Sequence, residues 1–198
     1  MGRERDNVFA NRLGLLVGSA AVLVGFALVA TARAEDATGA GARAALDLAE
    51  SAATAWAEDA QLVYVESDEP LASTGECARW GYLFFSKALG RGRAYSIEGD
   101  DIEVAEDFPF EFDAPPLPRE WIDSADAVRN AAQSGGADAG DHAAAAPHLA
   151  SMFLVRGVLN TEDPDAATWG LVYEAGTAPK QIVVMDARTG KFVRRWRG

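Results

Sequence analysis

One order of sequence patterns occurs twice in this chain of 198 residues, and this repetition constrains the fold more than any other feature. Each half predicts a helix, a strand, an acidic loop, a strand that opens with Trp-Gly, and two further strands joined by turns. The Trp-Gly pairs are Trp80-Gly81 and Trp169-Gly170. Because repetition at this scale is typical of duplicated structural units, we expect two equivalent halves.

The first half is expected over residues 42–107. Apolar residues at spacings of three and four predict an Ala-rich helix over residues 42–59. Apolar runs bounded by turn residues predict the strands that follow, at residues 61–66, 80–85, 93–97 and 102–104.

The second half is expected over residues 121–198. A helix is predicted over residues 124–132, with Asp123 or Ser124 as its N-cap. The Ala- and Gly-rich residues 134–147 are predicted to form a loop, whose role the sequence does not give. Strands are predicted at residues 152–159, 169–173, 181–186 and 191–193.

Residues 108–120 separate the two halves and contain four prolines, which exclude a helix or a central strand. We expect an ordered crossover there, because Phe108, Phe110 and Phe112 alternate and can pack on one surface.

These elements predict an α+β fold of two tandem units, each a helix packed across one face of a small antiparallel sheet, after an N-terminal signal or anchor helix. Such a unit is marginal alone, because a small domain buries a low fraction of its surface. Trp80 and Trp169 are expected to anchor the two cores. The alternative is that either ring is an exposed platform for a ligand.

The N-terminus predicts export. Three arginines in the first twelve residues precede a charge-free run over residues 13–32, which ends at Ala32-Arg33-Ala34, a typical processing site. Residues 1–34 are therefore predicted to be a signal peptide or, if uncleaved, a membrane anchor through residues 13–32. The remaining alternative is a buried helix of a soluble protein. In the first two cases the rest of the chain is periplasmic or secreted.

Charge narrows the class of partner. The formal net charge is −12, which disfavours nucleic acid as a partner and favours solubility, a cationic partner or a divalent ion. The C-terminus is the exception, since Lys191, Arg194, Arg195 and Arg197 surround Trp196. This basic tip can contact anionic lipid or an acidic partner, or it can belong to an edge strand whose charges block aggregation.

No catalytic, cofactor-binding or metal-binding residue is predicted, and the chain is not expected to be an enzyme. Cys77 is the single cysteine, so it is either a small buried side chain or the source of an intermolecular disulfide. His142 and His148 are compatible with a weak transition-metal site, and the alternative is that both are solvated loop residues without a ligand. The sequence contains no nucleophile elbow and no phosphate-binding loop. Pairs of adjacent acidic residues are compatible with the two catalytic carboxylates of a glycosidase, so that alternative stays open.

The second half resembles the PepSY domain family over residues 121–196. The resemblance lies in Ser124-Ala125-Asp126-Ala127-Val128, in residues 169–173 and in the hairpin of residues 183–193, while residues 42–107 show a degraded version. The hairpin also has a direct physical interpretation, in which Asp186 caps the turn and Gly190 supplies a positive φ. The resemblance implies a non-enzymatic extracytoplasmic domain with a role in peptidase inhibition or regulation.

The expected function is therefore an extracytoplasmic, non-catalytic binding or peptidase-inhibitory module of the bacterial cell envelope, with a protein or peptide partner and no cofactor. The alternatives are a small-molecule or cation-binding envelope protein that uses the acidic loops and, less favoured, an unfamiliar hydrolase.

Overall fold

The computed structural model describes residues 39–109, 115–135 and 146–197, so the predictions for residues 1–34, Phe110, Phe112 and His142 lie outside the described residues. The helices are α1 (Leu46–Trp56) and α2 (Ser124–Gln133), and the strands are β1 (Gln61–Ser67), β2 (Arg79–Ser86), β3 (Arg91–Glu98), β4 (Asp101–Pro109), β5 (His148–Arg156), β6 (Ala167–Glu174), β7 (Gln181–Asp186) and β8 (Phe192–Arg197). Neither helix is long and apolar enough to cross a membrane.

The strands form one antiparallel sheet of eight, in the order β4-β3-β2-β1-β5-β6-β7-β8. The prediction of two tandem helix-plus-sheet units is therefore wrong, and the fold is a single β-rich sheet carrying two helices. The two halves join where β1 pairs with β5, with Val65 opposite Leu154. This pairing satisfies backbone N–H and C=O groups that two separate sheets would leave exposed at their edges.

Both helices lie on the same face of the sheet, with α1 against β2 and β3 and α2 against β6 and β7. Their contact faces consist of small side chains: Ala49, Ala53, Ala127 and Ala131 are at most 1% exposed. Small residues let a helix approach a sheet closely, so most of the large core side chains come from the strands. We call this side the helix face and the opposite side the helix-free face.

The two Trp-Gly tryptophans occupy corresponding places in one shared core. Trp80 and Trp169 are 2% and 0% exposed. Each indole Nε1 donates a 2.9 Å hydrogen bond to a backbone carbonyl a few residues before a helix, that of Ala40 and of Ile122 respectively. Their rings meet edge to face at 6.3 Å, and Trp121 contacts Trp169 in the same way at 5.8 Å. The expected anchoring role is confirmed, and the exposed-platform alternative is wrong.

The starts of the two helices meet at Asp123. Its Oδ1 accepts hydrogen bonds from Ser124 N at 2.8 Å and from Arg43 N at 3.1 Å. A Cβ on Gly41 would stand 2.1 Å from Asp123 Oδ2, so a side chain at position 41 would displace this carboxylate. Asp123, one of the two N-caps that the sequence predicted for α2, is the one observed, and it also holds the segment that leads into α1.

The hairpin that ends the sheet has the predicted turn. Asp186 Oδ1 accepts hydrogen bonds from Arg188 N at 3.1 Å and from Thr189 N at 2.6 Å, and Gly190 has a φ of +68°. β7 has the predicted bounds, whereas the last strand extends further than predicted, to Arg197, and continues through the basic tip. β4 also extends beyond the predicted residues 102–104. Its side chains are mostly exposed and show little apolar periodicity, so the sequence pattern did not reveal its full length.

Candidate functional site

The helix-free face of β5–β8 carries a row of apolar side chains. Cross-strand pairing places Ser151 opposite Val172, Val172 opposite Ile182, and Ile182 opposite Trp196. Val172 and Ile182 are half-buried, and Trp196 is 52% exposed. We call these four residues the Trp196 row, and neither α1 nor α2 covers it.

The neighbouring row on this face is built around a glycine. Phe153, Gly170, Val184 and Arg194 are successive cross-strand partners. A Cβ on Gly170 would lie 2.5 Å from Phe153 Cζ, so the missing side chain lets the phenyl ring lie across the strand. Tyr64 of β1 stacks on that ring with a centroid distance of 6.2 Å. Phe153 and Tyr64 therefore form a packed aromatic surface beside the Trp196 row.

Positive charge borders this face along the edge strand β8. The Arg194 guanidinium lies 5.9 Å from the centre of the Trp196 ring, a cation–π contact at an exposed position. Arg195, on the helix face, donates a hydrogen bond to the Gly135 carbonyl. The basic tip is thus an edge strand, and it places an aromatic ring and a guanidinium together at the rim of an apolar face.

The opposite edge of the sheet is acidic. β4 carries four carboxylates and no basic side chain. Of these four carboxylates, only that of Asp107 forms an ion pair with another described residue. It lies 2.7 Å from Arg93 Nη1 and 3.9 Å from Arg91 Nη1. Only residues 102–104 of this edge were predicted as strand. The density of acids over residues 98–107 was the signal that could have identified it as a continuous charged edge.

A cavity of about 220 Å³ lies on the helix face between α1, the Leu62 end of β1 and the segment Pro116–Trp121. The residues that line it include Leu46, Glu50, Phe84 and Trp121. This volume is below the range of roughly 300–1,000 Å³ typical of small-molecule sites. The cavity therefore offers less to a ligand than the helix-free face offers to a protein surface.

Of the candidate residues from the sequence, Cys77 precedes β2 and His148 begins β5. Cys77 is 1% exposed, its Sγ donates to the Arg79 and Glu69 carbonyls at 3.1 and 3.2 Å, and burial raises its pKa. An intermolecular disulfide would therefore require local opening. His148 is exposed at the start of β5, opposite Glu174. Residues 39–109, 115–135 and 146–197 contain no cluster of three or more metal-ligating side chains.

Sequence reasoning missed Val172 and Ile182 as surface residues. Both strands are apolar in both phases of their alternation, which is typical of a sheet buried on two faces. That pattern shows that each face needs cover, but it does not show which face receives the helices.

No protein-family model and no curated protein sequence matches this chain. A solved structure from Clostridium difficile 630, that of a "putative lipoprotein", is similar in fold. The TM-score is 0.54 at 10% sequence identity, over 77% of this chain and 92% of the other. At this identity the likeness shows a similar fold alone.

Proposed function

We propose that the chain is an extracytoplasmic, non-catalytic binding protein of the bacterial cell envelope, which holds a protein or peptide partner on the helix-free face of β5–β8. The observation that carries the proposal is the Trp196 row, in which Val172 and Ile182 are half-buried and Trp196 is 52% exposed. Aromatic residues beside arginine are enriched at binding hot spots, because they combine apolar area with a polar rim.

The envelope location is supported by the export signal that the sequence predicts over residues 1–34. The C. difficile structure is that of a "putative lipoprotein", which agrees with such a location. A peptidase-inhibitory or regulatory role follows from the PepSY resemblance of residues 121–196 and belongs to the same proposal.

The absence of a catalytic role is part of the proposal and has a chemical basis. A nucleophile needs a base within hydrogen-bonding reach. The thiol of Cys77 is held by backbone carbonyls in the core, and His148 stands at the exposed start of β5. The face that we assign to the partner offers apolar and guanidinium groups, which suit recognition of an apolar and acidic surface.

The experiment is site-specific photo-cross-linking in the native host. A photoreactive side chain replaces Ile182 in the full chain, and the matched control carries it at Leu89, which is 50% exposed at the β2–β3 turn. We expect one dominant adduct with an envelope protein from position 182 and none from position 89. Ile182→Glu should abolish capture by a probe placed at Val172, whereas Leu89→Glu should leave it intact.

Equal adducts from positions 182 and 89 would remove the helix-free face as the binding site. Hydrolysis of peptide or glycoside substrates by the purified chain, unchanged by Ile182→Glu, would replace binding by catalysis as the function.

A further inference from the structure

The two edges of the sheet carry opposite charge. β4 at one edge has four acidic residues and no basic residue, and β8 at the other has three arginines and no acidic residue. The acidic residues are Asp101, Glu103, Glu106 and Asp107, and the arginines are Arg194, Arg195 and Arg197. Glu103, Glu106, Arg194 and Arg197 form no ion pair with any other described residue.

The same two strands carry most of the exposed apolar side chains. Six large hydrophobic residues are exposed in the described part of the chain, and four of them lie on the edge strands. Ile102 and Val104 are each 39% exposed on β4, and Phe192 and Trp196 are 41% and 52% exposed on β8. An edge with free backbone groups and apolar side chains is a template for another strand.

Strand direction decides which edges can meet. Every neighbouring pair in the eight-stranded sheet is antiparallel, so β4 and β8 run in opposite directions. A second copy in the same orientation therefore brings its β8 antiparallel to β4 of the first, with the helices of both copies on one side. Pairing two β4 edges or two β8 edges would place like charges opposite each other, which is destabilising.

We propose that β4 of one copy pairs with β8 of a second copy, which extends the sheet head to tail. One register puts Arg194 opposite Glu106, Arg197 opposite Glu103, and Trp196 beside Val104. In that register the faces agree, because Val104 and Glu106 stand opposite Ser96 and Ala94 on the helix-free face, where Trp196 and Arg194 also lie. Each copy keeps a free edge, so the contact is heterologous and forms an open series.

The inference does not rest on the proposed function, although both use Trp196 and Arg194; the contact between edges leaves Val172 and Ile182 of the Trp196 row available. The extra residue of the β3–β4 bulge is Glu103 and that of the β7–β8 bulge is Val193, so pairing is regular over Val104–Glu106 and Arg194–Trp196, and the register meets the β4 bulge at Glu103. Edge charges of one sign oppose association, whereas here the two signs select one orientation.

The test is disulfide cross-linking of the purified full chain in detergent. Facing residues of an antiparallel pair have Cα atoms about 4.5–5.5 Å apart, which fits a disulfide. The double variant Val104→Cys with Trp196→Cys should give a ladder of covalent oligomers under mild oxidation. Each single variant should stay monomeric, and the buried Cys77 of the native chain serves as the internal control.

Charge reversal gives the second arm. Arg194→Glu with Arg197→Glu should abolish the ladder in the double-cysteine background, and adding Glu103→Arg with Glu106→Arg should restore it. High salt should weaken the ladder, because exposed charges are screened. Far-UV circular dichroism confirms that each variant is folded.

Three results would overturn the proposal. Folded double-cysteine protein that stays monomeric shows that the edges do not meet. Dimers from one single-cysteine variant show like edges pairing. In cells of the host, an adduct of the double-cysteine chain with a different protein, in place of the ladder, assigns β8 to another partner.

Discussion

Replacing Asp123 by alanine should destabilise both halves of the molecule at once. The carboxylate accepts Ser124 N at 2.8 Å, as the N-cap of α2, and Arg43 N at 3.1 Å, ahead of α1. Loss of an N-cap costs about 0.5–2 kcal/mol, and a hydrogen bond to a charged group contributes about 1.5–3 kcal/mol. The bond to Arg43 is exposed, so water offsets part of its loss. We expect Asp123→Ala to lower the free energy of unfolding by about 2–3 kcal/mol.

Urea unfolding followed by tryptophan fluorescence measures this change, because the buried rings of Trp80, Trp121 and Trp169 report on the shared core. The matched control is Asp126→Ala in the first turn of α2, whose ion pair with Arg129 is exposed. That substitution should cost less than about 1 kcal/mol.

A double-mutant cycle with Gly41 tests the geometry. Gly41→Ala places a Cβ 2.1 Å from Asp123 Oδ2, so the carboxylate must move away from its donors. In the Asp123→Ala background that obstacle is gone, and Gly41→Ala should cost at least about 1 kcal/mol less than in the wild type. If Asp123→Ala costs less than about 0.5 kcal/mol, or if Gly41→Ala costs the same in both backgrounds, the shared cap does not hold the helix starts together.

Three further predictions concern the core and its edge. In urea unfolding, Trp169→Ala should lower the free energy of unfolding by about 3–5 kcal/mol. Trp196→Ala, at an exposed position, should change it by less than about 1 kcal/mol. Similar losses in the two variants would contradict the burial assigned to Trp169. Cys77 should react with an aromatic disulfide reagent only as fast as the protein opens, because burial raises the pKa of its thiol and shields it; rapid labelling of native protein would show an accessible thiol. A 2.6 Å hydrogen bond from Ser86 Oγ lowers the pKa of Asp59 below its ordinary 3.8, so this contribution to stability is present above that value and is lost as pH falls through the lowered pKa. In urea titrations, Ser86→Ala should therefore reduce the slope with which the free energy of unfolding falls between about pH 5 and pH 2. An unchanged slope would show that this hydrogen bond does not contribute to the pH dependence of stability.

The sequence located most of the elements from local patterns. The Ala-rich face of α1, the N-cap of α2 and the Asp186 turn each depend on residues within a few positions of one another. Their physical causes are helix periodicity, capping and side-chain to backbone hydrogen bonding, all of which act locally. The apolar runs likewise marked the central strands. At β4 they located residues 102–104 only, because the exposed charged residues around them form a strand through their pairing with β3.

Only the tertiary structure decided how the two halves combine. The local sequences of β1 and β5 do not show which strand each will pair with. The pairing of Val65 with Leu154, which joins the halves into one sheet, could therefore not be predicted from either strand. The same long-range pairing places Trp80 against Trp169 and separates an acidic edge from a basic one. Patterns of hydrophobicity determine which side chains are buried, whereas hydrogen bonding between distant strand edges determines which surfaces remain for a partner.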